Sequence, residues 1–256
     1  MASSSRTSPA ASRIGGPLIE LLYGRHPVSE ALRARRRRVH RLLIAQGAHG
    51  LDELLRLAQQ QKLPVETVER RQLEKLHPGH HQGVLAEVEP FRYARLDDLL
   101  GQARPLLLVL DSLQDPQNFG TLLRTAQGCG IGGVLIPEHR AVGVTPAVAS
   151  ASAGAVEHLR VARETNLSRA IAALKARNVW VYGLAVEASR PYWEVDWTSA
   201  SALVVGAEGP GLGRLVREAC DELVKIPMAA GAVQSLNAAV AGSLVVYEAF
   251  RQRASQ

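Results

Sequence analysis

The sequence predicts an α/β protein in two parts: a small α/β domain, then a larger domain built on a parallel sheet. Three observations predict it. The run Leu106-Leu107-Leu108-Val109-Leu110 is apolar without interruption, as a strand covered by helices on both faces requires. Apolar strand-length segments alternate with amphipathic helical ones, the pattern of layered α/β folds. Charge also divides the chain: residues 1–104 hold 17 Arg or Lys against 11 Asp or Glu, and residues 105–256 hold 13 of each.

Residues 1–17, rich in Ser and Ala and without an acidic side chain, are expected to form a disordered tail. Leu18 to Arg35 has helical spacing around Tyr23-Gly24-Arg25-His26-Pro27, with Val28, Ala31 and Leu32 on one face. Strands are expected at Val39 to Ala45, Pro64 to Val68 and Gly83 to Val88, with helices at Leu51 to Lys62 and Arg70 to Leu76. This α-β-α-β-α-β order defines a first domain over 18–89. Residues 90–104, between Pro90 and Pro105 and weakly periodic, are expected to be a linker.

In the second domain, 105–256, the buried run at 106–110 is followed by a helix from Thr121 to Cys129 and a strand at Gly133 to Ile136. A small-residue helix over Pro146 to Ala155 and a strand near Leu159 to Val161 come next. Thr165-Asn166 offers a cap for a helix reaching Arg177, and Val179 to Val186 reads as a strand. Strands at Leu203 to Val205 and Leu223 to Ile226 flank a helix over Leu212 to Ala219. The last helix, to about Arg253, is capped by Ser235 or Asn237.

Composition limits the function classes. Hydrophobic residues are 46% and charged residues 21%, ordinary for a globular chain, and no apolar run has the length of a membrane span. Two cysteines, Cys129 and Cys220, give no disulfide framework, which suits a reducing cytoplasm. The net charge of +6 comes from the front half, and only four of the 30 basic residues in the whole chain are lysines. A basic, arginine-rich first domain is suited to a polyanion.

Chemistry is expected near the end of the chain. Leu203-Val204-Val205 runs into Gly206-Ala207-Glu208-Gly209-Pro210-Gly211-Leu212-Gly213, in which four glycines allow close backbone approach to a flat ligand. A dinucleotide fingerprint would begin its domain and carry an acidic residue about 20 positions later, at a second strand's end. Here Asp221 and Glu222 fall at the start of the following strand, which argues against a nicotinamide site. Glu208 is the carboxylate of this turn. Asp115-Pro116-Gln117-Asn118-Phe119-Gly120 also follows a buried strand, and Arg124 lies among apolar Leu122, Leu123 and Ala126.

These segments together carry a resemblance. Asp115 to Gly120 with Arg124, Gly206-Ala207-Glu208-Gly209 with Gly211, and Ile226-Pro227-Met228 with Ser235-Leu236-Asn237 resemble the three motifs of SpoU-type RNA ribose 2′-O-methyltransferases, of the SPOUT superfamily. Tyr23 to Val28 and His81-Gln82-Gly83 resemble the N-terminal substrate-binding domain of the subgroup that methylates large-subunit ribosomal RNA. The resemblance spans about residues 20 to 253. One departure is the spacer Ala229 to Gln234, six residues where about five are usual; another is Ala238-Ala239 after Asn237.

The resemblance implies a parallel-sheet catalytic domain tied in a deep trefoil knot, which pattern reading alone would not find. It implies S-adenosylmethionine as cofactor, with no metal, against Gly206, Ala207, Gly211, Ile226, Met228 and Leu236. It implies a homodimer, and a small α/β RNA-binding domain resembling ribosomal proteins. Arg124 is implied as base or phosphate clamp. Asn118 would hold Arg124 or the ribose, Glu208 would orient Arg124 or Asn118, and Ser235 and Asn237 would complete the network. The implied reaction is methylation of a ribose 2′-hydroxyl, most directly at a guanosine of 23S ribosomal RNA. Transfer RNA, or binding without catalysis, are the alternatives.

RNA contact is expected from Arg25, His26, His81, Gln82 and the cluster Arg35, Arg36, Arg37 and Arg38. His77, His80 and His81 have no cysteine or carboxylate beside them to complete a metal site. Trp180, Trp193 and Trp197 are expected in the core or a dimer interface.

Overall fold

The computed structural model describes residues 18–229, 231 and 235–255. The expected tail, 1–17, and four residues of the spacer 229–234 lie outside the described residues. The chain divides into two compact units, one ending at Arg92 and the other beginning at Tyr93.

The first unit contains β1 (Glu20–Tyr23), α1 (Arg25–Ala34), β2 (Val39–Ala45), α2 (Asp52–Gln60), β3 (Val65–Val68), α3 (Arg70–Leu76) and β4 (Val84–Val88). Its sheet runs β1-β4-β2-β3, with β4 antiparallel to both neighbours and β3 parallel to β2. The expected helix from Leu18 to Arg35 is therefore corrected: its first part is a strand, paired from Glu20↔Val88 to Tyr23↔Leu85. Gly24, at φ 91°, separates strand from helix, and sheet pairing outweighs the local helical spacing. The helical remainder buries Val28, Ala31 and Leu32 as its pattern requires. Pro27 falls in the first turn, where its missing N–H costs nothing.

The second unit contains β5 (Leu106–Leu110), α4 (Pro116–Gly128), β6 (Gly133–Pro137), α5 (Pro146–Ala151), β7 (Val161–Glu164), α6 (Leu167–Lys175), β8 (Trp180–Leu184), β9 (Arg190–Pro191), β10 (Ser201–Val205), α7 (Arg214–Ala219), β11 (Glu222–Lys225) and α8 (Ala238–Ala254). The seven strands run β7-β6-β5-β10-β8-β11-β9, every pair parallel. β5 and β10 are buried along their whole length, which explains the unbroken apolar sequence of β5 and the apolar run Ala202 to Val205 in β10. The chain leaves β5 for β6 on one side and later returns to β10 on the other. A switch of this kind opens a crevice at the strands' C-terminal ends, where the loops after β5 and β10 meet.

Residues 93–104, inside the expected linker, are packed on the second unit. Ala94 bridges Ala162, and a 3-10 turn at Leu96–Leu100 puts Leu99 in the core at 1% exposure. A buried leucine anchors this stretch more firmly than its weak periodicity suggests. α4 and α5 touch closely at Gly120, where an added Cβ would lie 2.4 Å from the Cβ of Ala151. That approach explains why α5 is built of small residues. Of the three tryptophans, Trp197 is fully buried and donates from Nε1 to the Tyr192 carbonyl, whereas Trp180 and Trp193 are half-exposed.

The path that would form a knot runs from β11 to α8 through residues 226–237, part of which is outside the described residues. Among the described residues, no helix is long and apolar enough to cross a membrane.

Candidate active site

Three loops converge at the C-terminal ends of β5, β10 and β11. The first is fixed by Asp115, the N-cap of α4, whose carboxylate accepts from the Gln117 and Asn118 N–H groups at 3.2 Å each. Pro116 holds the first helical position. This capping starts the helix at Pro116, earlier than the expected Thr121, and places Asn118 on its first turn. The second loop, after β10, closes through paired backbone bonds between Ala207 and Gly211, at 3.1 and 3.0 Å. Gly206 makes this closure possible, since a Cβ there would lie 2.2 Å from the Gly211 carbonyl carbon. The third enters α8 at Asn237, whose Oδ1 accepts from the N–H groups of Ala239 (2.9 Å) and Val240 (3.2 Å).

The structure brings Asn118, Glu208 and Asn237 together from positions 90 and 119 residues apart in sequence. Asn118 Nδ2 donates to Glu208 Oε1 at 2.9 Å, and Asn237 Nδ2 donates to Asn118 Oδ1 at 3.0 Å and also to Glu208 Oε1. Of the partners expected for Glu208, the geometry selects Asn118. Of the two expected caps of α8, it selects Asn237, so one side chain both starts the helix and orients the network. Arg124 is exposed on α4 and makes no hydrogen bond or ion pair with any described residue. Ser235 is likewise outside the described hydrogen-bond network.

Beside this network lies a cavity of about 390 Å³. It is lined by Gly206, Ala207, Gly211, Ile226, Met228 and Leu236, all six residues expected at a cofactor, and by Glu208 and Ser235. Leu184, Ala185 and Leu212 add apolar wall. The volume falls within the roughly 300–1,000 Å³ of small-molecule sites, and walls of apolar side chains and bare backbone suit a flat adenosine-like ligand.

Sequence reading missed three residues here. Asp111 is 6% exposed, and its Oδ2 accepts from the Gly213 N–H at 2.7 Å while Oδ1 accepts from Ser112 Oγ at 2.9 Å. It ties the end of β5 to the loop after β10. Its position directly after the apolar run was the available signal. Glu187 and Arg217, an ion pair that lines the cavity, carry no comparable signal. Cys220, directly after α7, donates to the Val216 carbonyl, and burial pushes its thiol up to about 12, which disfavours the reactive thiolate.

In the first unit, Arg25, His26, Arg70 and Gln82 line a separate cavity of about 480 Å³. Arg25 is held by Gln82 at two points: its N–H donates to Oε1 at 3.0 Å and its Nε to the carbonyl at 3.4 Å. Arg70 was not expected. Two residues expected at RNA are instead turned inward. His81 is 2% exposed, its Nδ1 accepts from the Gly83 N–H at 3.0 Å, and burial holds its pKa below the usual imidazole value. Arg37 is 5% exposed and paired with Glu20 at 3.2 Å. A buried side chain already satisfied by the fold offers nothing to a ligand. Arg35, Arg36 and Arg38 remain exposed. Among the described residues, no group of three His, Cys, Asp or Glu could hold a metal ion.

The cavity and the hydrogen-bond network beside it draw on all three motifs, and comparison with known proteins identifies the family. Residues 105–247 match the profile of the SpoU rRNA Methylase family. The chain belongs to this family. Residues 21–94 match the profile described as RNA 2′-O ribose methyltransferase substrate binding. YacO of Bacillus subtilis (strain 168), named for the TrmH tRNA/rRNA methyltransferase family, is 42% identical over 241 residues, covering 91% of this chain and 96% of YacO. The SpoU methyltransferase AviRb from Streptomyces viridochromogenes, in complex with AdoMet, aligns with TM-score 0.79 and 28% identity over 93% of this chain and 92% of AviRb. The TrmH/SpoU tRNA modifying enzyme of A. aeolicus aligns with TM-score 0.54 and 27% identity, over 62% of this chain and 81% of that one.

Proposed function

We propose that this SpoU-family methyltransferase moves the methyl group of S-adenosylmethionine to the ribose 2′-hydroxyl of a guanosine in 23S ribosomal RNA, as a cytoplasmic homodimer. The observation that carries the reading is the cavity itself, lined by all six expected cofactor residues and bordered by the Asn118–Glu208–Asn237 network. AviRb, an AdoMet-binding protein of the same fold, supports the choice of cofactor.

The cofactor supplies an electrophilic methyl carbon. The chain's own task is to hold a hydroxyl in line with it and to ease departure of the hydroxyl proton. Glu208 and Asn237 fix Asn118, which is the residue assigned to the ribose. The Arg124 side chain is unengaged by the described residues, and a guanidinium is a poor general base in proteins. We therefore assign it as a clamp on the substrate phosphate that polarises the 2′-hydroxyl, with the proton leaving to water. Ser235 lines the cavity and is assigned to the cofactor's polar end.

Ribosomal over transfer RNA is supported by the first unit. The AdoMet bound rRNA methyltransferase from Sinorhizobium meliloti aligns over 91% of the chain, with TM-score 0.77 and 25% identity, whereas the tRNA-modifying neighbour aligns over 62%. In the first unit, Arg25, His26, Arg70 and Gln82 are the assigned RNA contacts, with Arg35, Arg36 and Arg38 nearby in sequence. The homodimer is supported by α8. Val240, Leu244, Tyr247 and Phe250 are 49, 40, 60 and 41% exposed and recur at helical spacing opposite the buried Val245, Val246 and Ala249. The trefoil knot is part of the same proposal.

Labelled S-adenosylmethionine with 23S ribosomal RNA and with bulk transfer RNA, both unmethylated at ribose, tests the substrate. Label in the 23S RNA alone is expected. Label confined to transfer RNA would reverse the assignment.

A further inference from the structure

We infer that Glu187 receives the ribose diol of the cofactor and that Arg217 is the positioning residue that holds Glu187 for it. The inference rests on the S-adenosylmethionine reading above. Glu187 lies in the turn after β8 and Arg217 in the last turn of α7. Both line the cavity, and Arg217 Nη1 pairs with Glu187 Oε1.

The argument is one of chemical matching. An adenosyl cofactor presents an aromatic base, two ribose hydroxyls, a sulfonium and an amino-acid end. The base needs apolar walls, which Leu184, Leu212 and Ala238 provide. A ribose diol donates two hydrogen bonds, and a carboxylate is the acceptor that meets both, as in dinucleotide sites. The described lining contains two carboxylates, Glu187 and Glu208. Glu208 is engaged by Asn118 and Asn237 on the reaction side. Glu187 is bound among the described residues by Arg217 alone, and the two side chains are 46 and 37% exposed, so ligand reaches the carboxylate without breaking the pair. Arg217 holds the Glu187 carboxylate in place through this pair, and is the basic side chain of the described lining.

Calorimetric titration of the full-length protein with S-adenosylhomocysteine and with its 2′-deoxy and 3′-deoxy analogues tests this. The unaltered protein should bind the complete diol about tenfold more tightly than either analogue, as hydrogen bonds to a charged acceptor imply. Glu187→Ala should bind all three alike, Arg217→Ala should lose most of the preference, and Arg217→Lys should restore it. Equal binding of all three by the unaltered protein would overturn the inference without any variant. So would a Glu187→Ala protein that still prefers the diol, or one that binds normally while Arg217→Ala does not bind, which would assign Arg217 to the cofactor's carboxylate. Failure of the unaltered protein to bind S-adenosylhomocysteine at all would defeat the cofactor reading as well.

Discussion

Arg124 and Gly206 show how differently single residues act at this site. Arg124 is exposed and touches no described polar partner, so its replacement breaks no hydrogen bond or ion pair of the described residues and reports on the reaction. Arg124→Ala is expected to lower kcat by about 10²–10⁴-fold, the range of lost proton-transfer and orienting groups, with S-adenosylhomocysteine affinity unchanged in calorimetry. Gly206→Ala acts through space: its Cβ would collide with the backbone of Gly211 and Leu212. Loss of cofactor binding at retained secondary structure is the expected result, read by titration and circular dichroism. His81 supplies a pH signature. Burial lowers its folded pKa, so between that value and about 6.5 the unfolded chain binds the extra proton. Stability of the first unit is therefore full above about pH 6.5 and falls as the pH drops through that window. Protonation of Nδ1 also removes the acceptor for the Gly83 N–H. His81→Gln should reduce this dependence in melting curves and leave the part due to His77, whose pKa burial also lowers. The sequence made Asn118, Glu208 and Asn237 legible, because three short motifs kept their residue types. It left His81 and Arg37 misread, because exposure depends on which face of the folded chain a side chain occupies.

At the level of elements, β5, β10 and the two loops that follow them form one mechanical unit. Asp111 joins them, and Asp111→Ala leaves the Gly213 N–H without its partner at 2.7 Å. A loss of about 1–3 kcal/mol in chemical denaturation is expected, together with weaker cofactor binding, since Gly213 ends the loop that walls the cavity. Asp111→Asn, which retains an acceptor, should recover part of both. Strand and helix positions in this unit were mostly legible, since buried parallel strands write themselves as continuous apolar runs. The start of α4 was not, because Asp115 and Pro116 begin the helix with polar residues before its apolar periodicity appears. β1 was misread for a related reason: four residues beside a true helix share its spacing, and only the distant pairing with β4 makes them a strand.

For the whole molecule, two surfaces carry the expectations. Replacing Leu244 and Tyr247 by Glu puts charge on the apolar stripe of α8; light scattering should find the proposed dimer for the unaltered protein and monomers for this variant. In the first unit, Arg25→Ala and Arg70→Ala should each weaken RNA binding and reduce the slope of log K against log salt by about one. Neither change should alter cofactor affinity. The two-part organisation was legible from the charge asymmetry and the alternation of elements, whereas the Glu187–Arg217 pair on the cavity wall was not, because which helix packs beside which strand end is set by tertiary packing. The central claim is methyl transfer to a ribose oxygen, and chemistry at that oxygen is read directly by alkaline hydrolysis. Ribosomal RNA incubated with the protein and labelled S-adenosylmethionine should yield label only in an alkali-resistant dinucleotide beginning with 2′-O-methylguanosine. Label released in alkali as ordinary mononucleotides, which marks methylation of a base, or no label in the RNA at all, would contradict it.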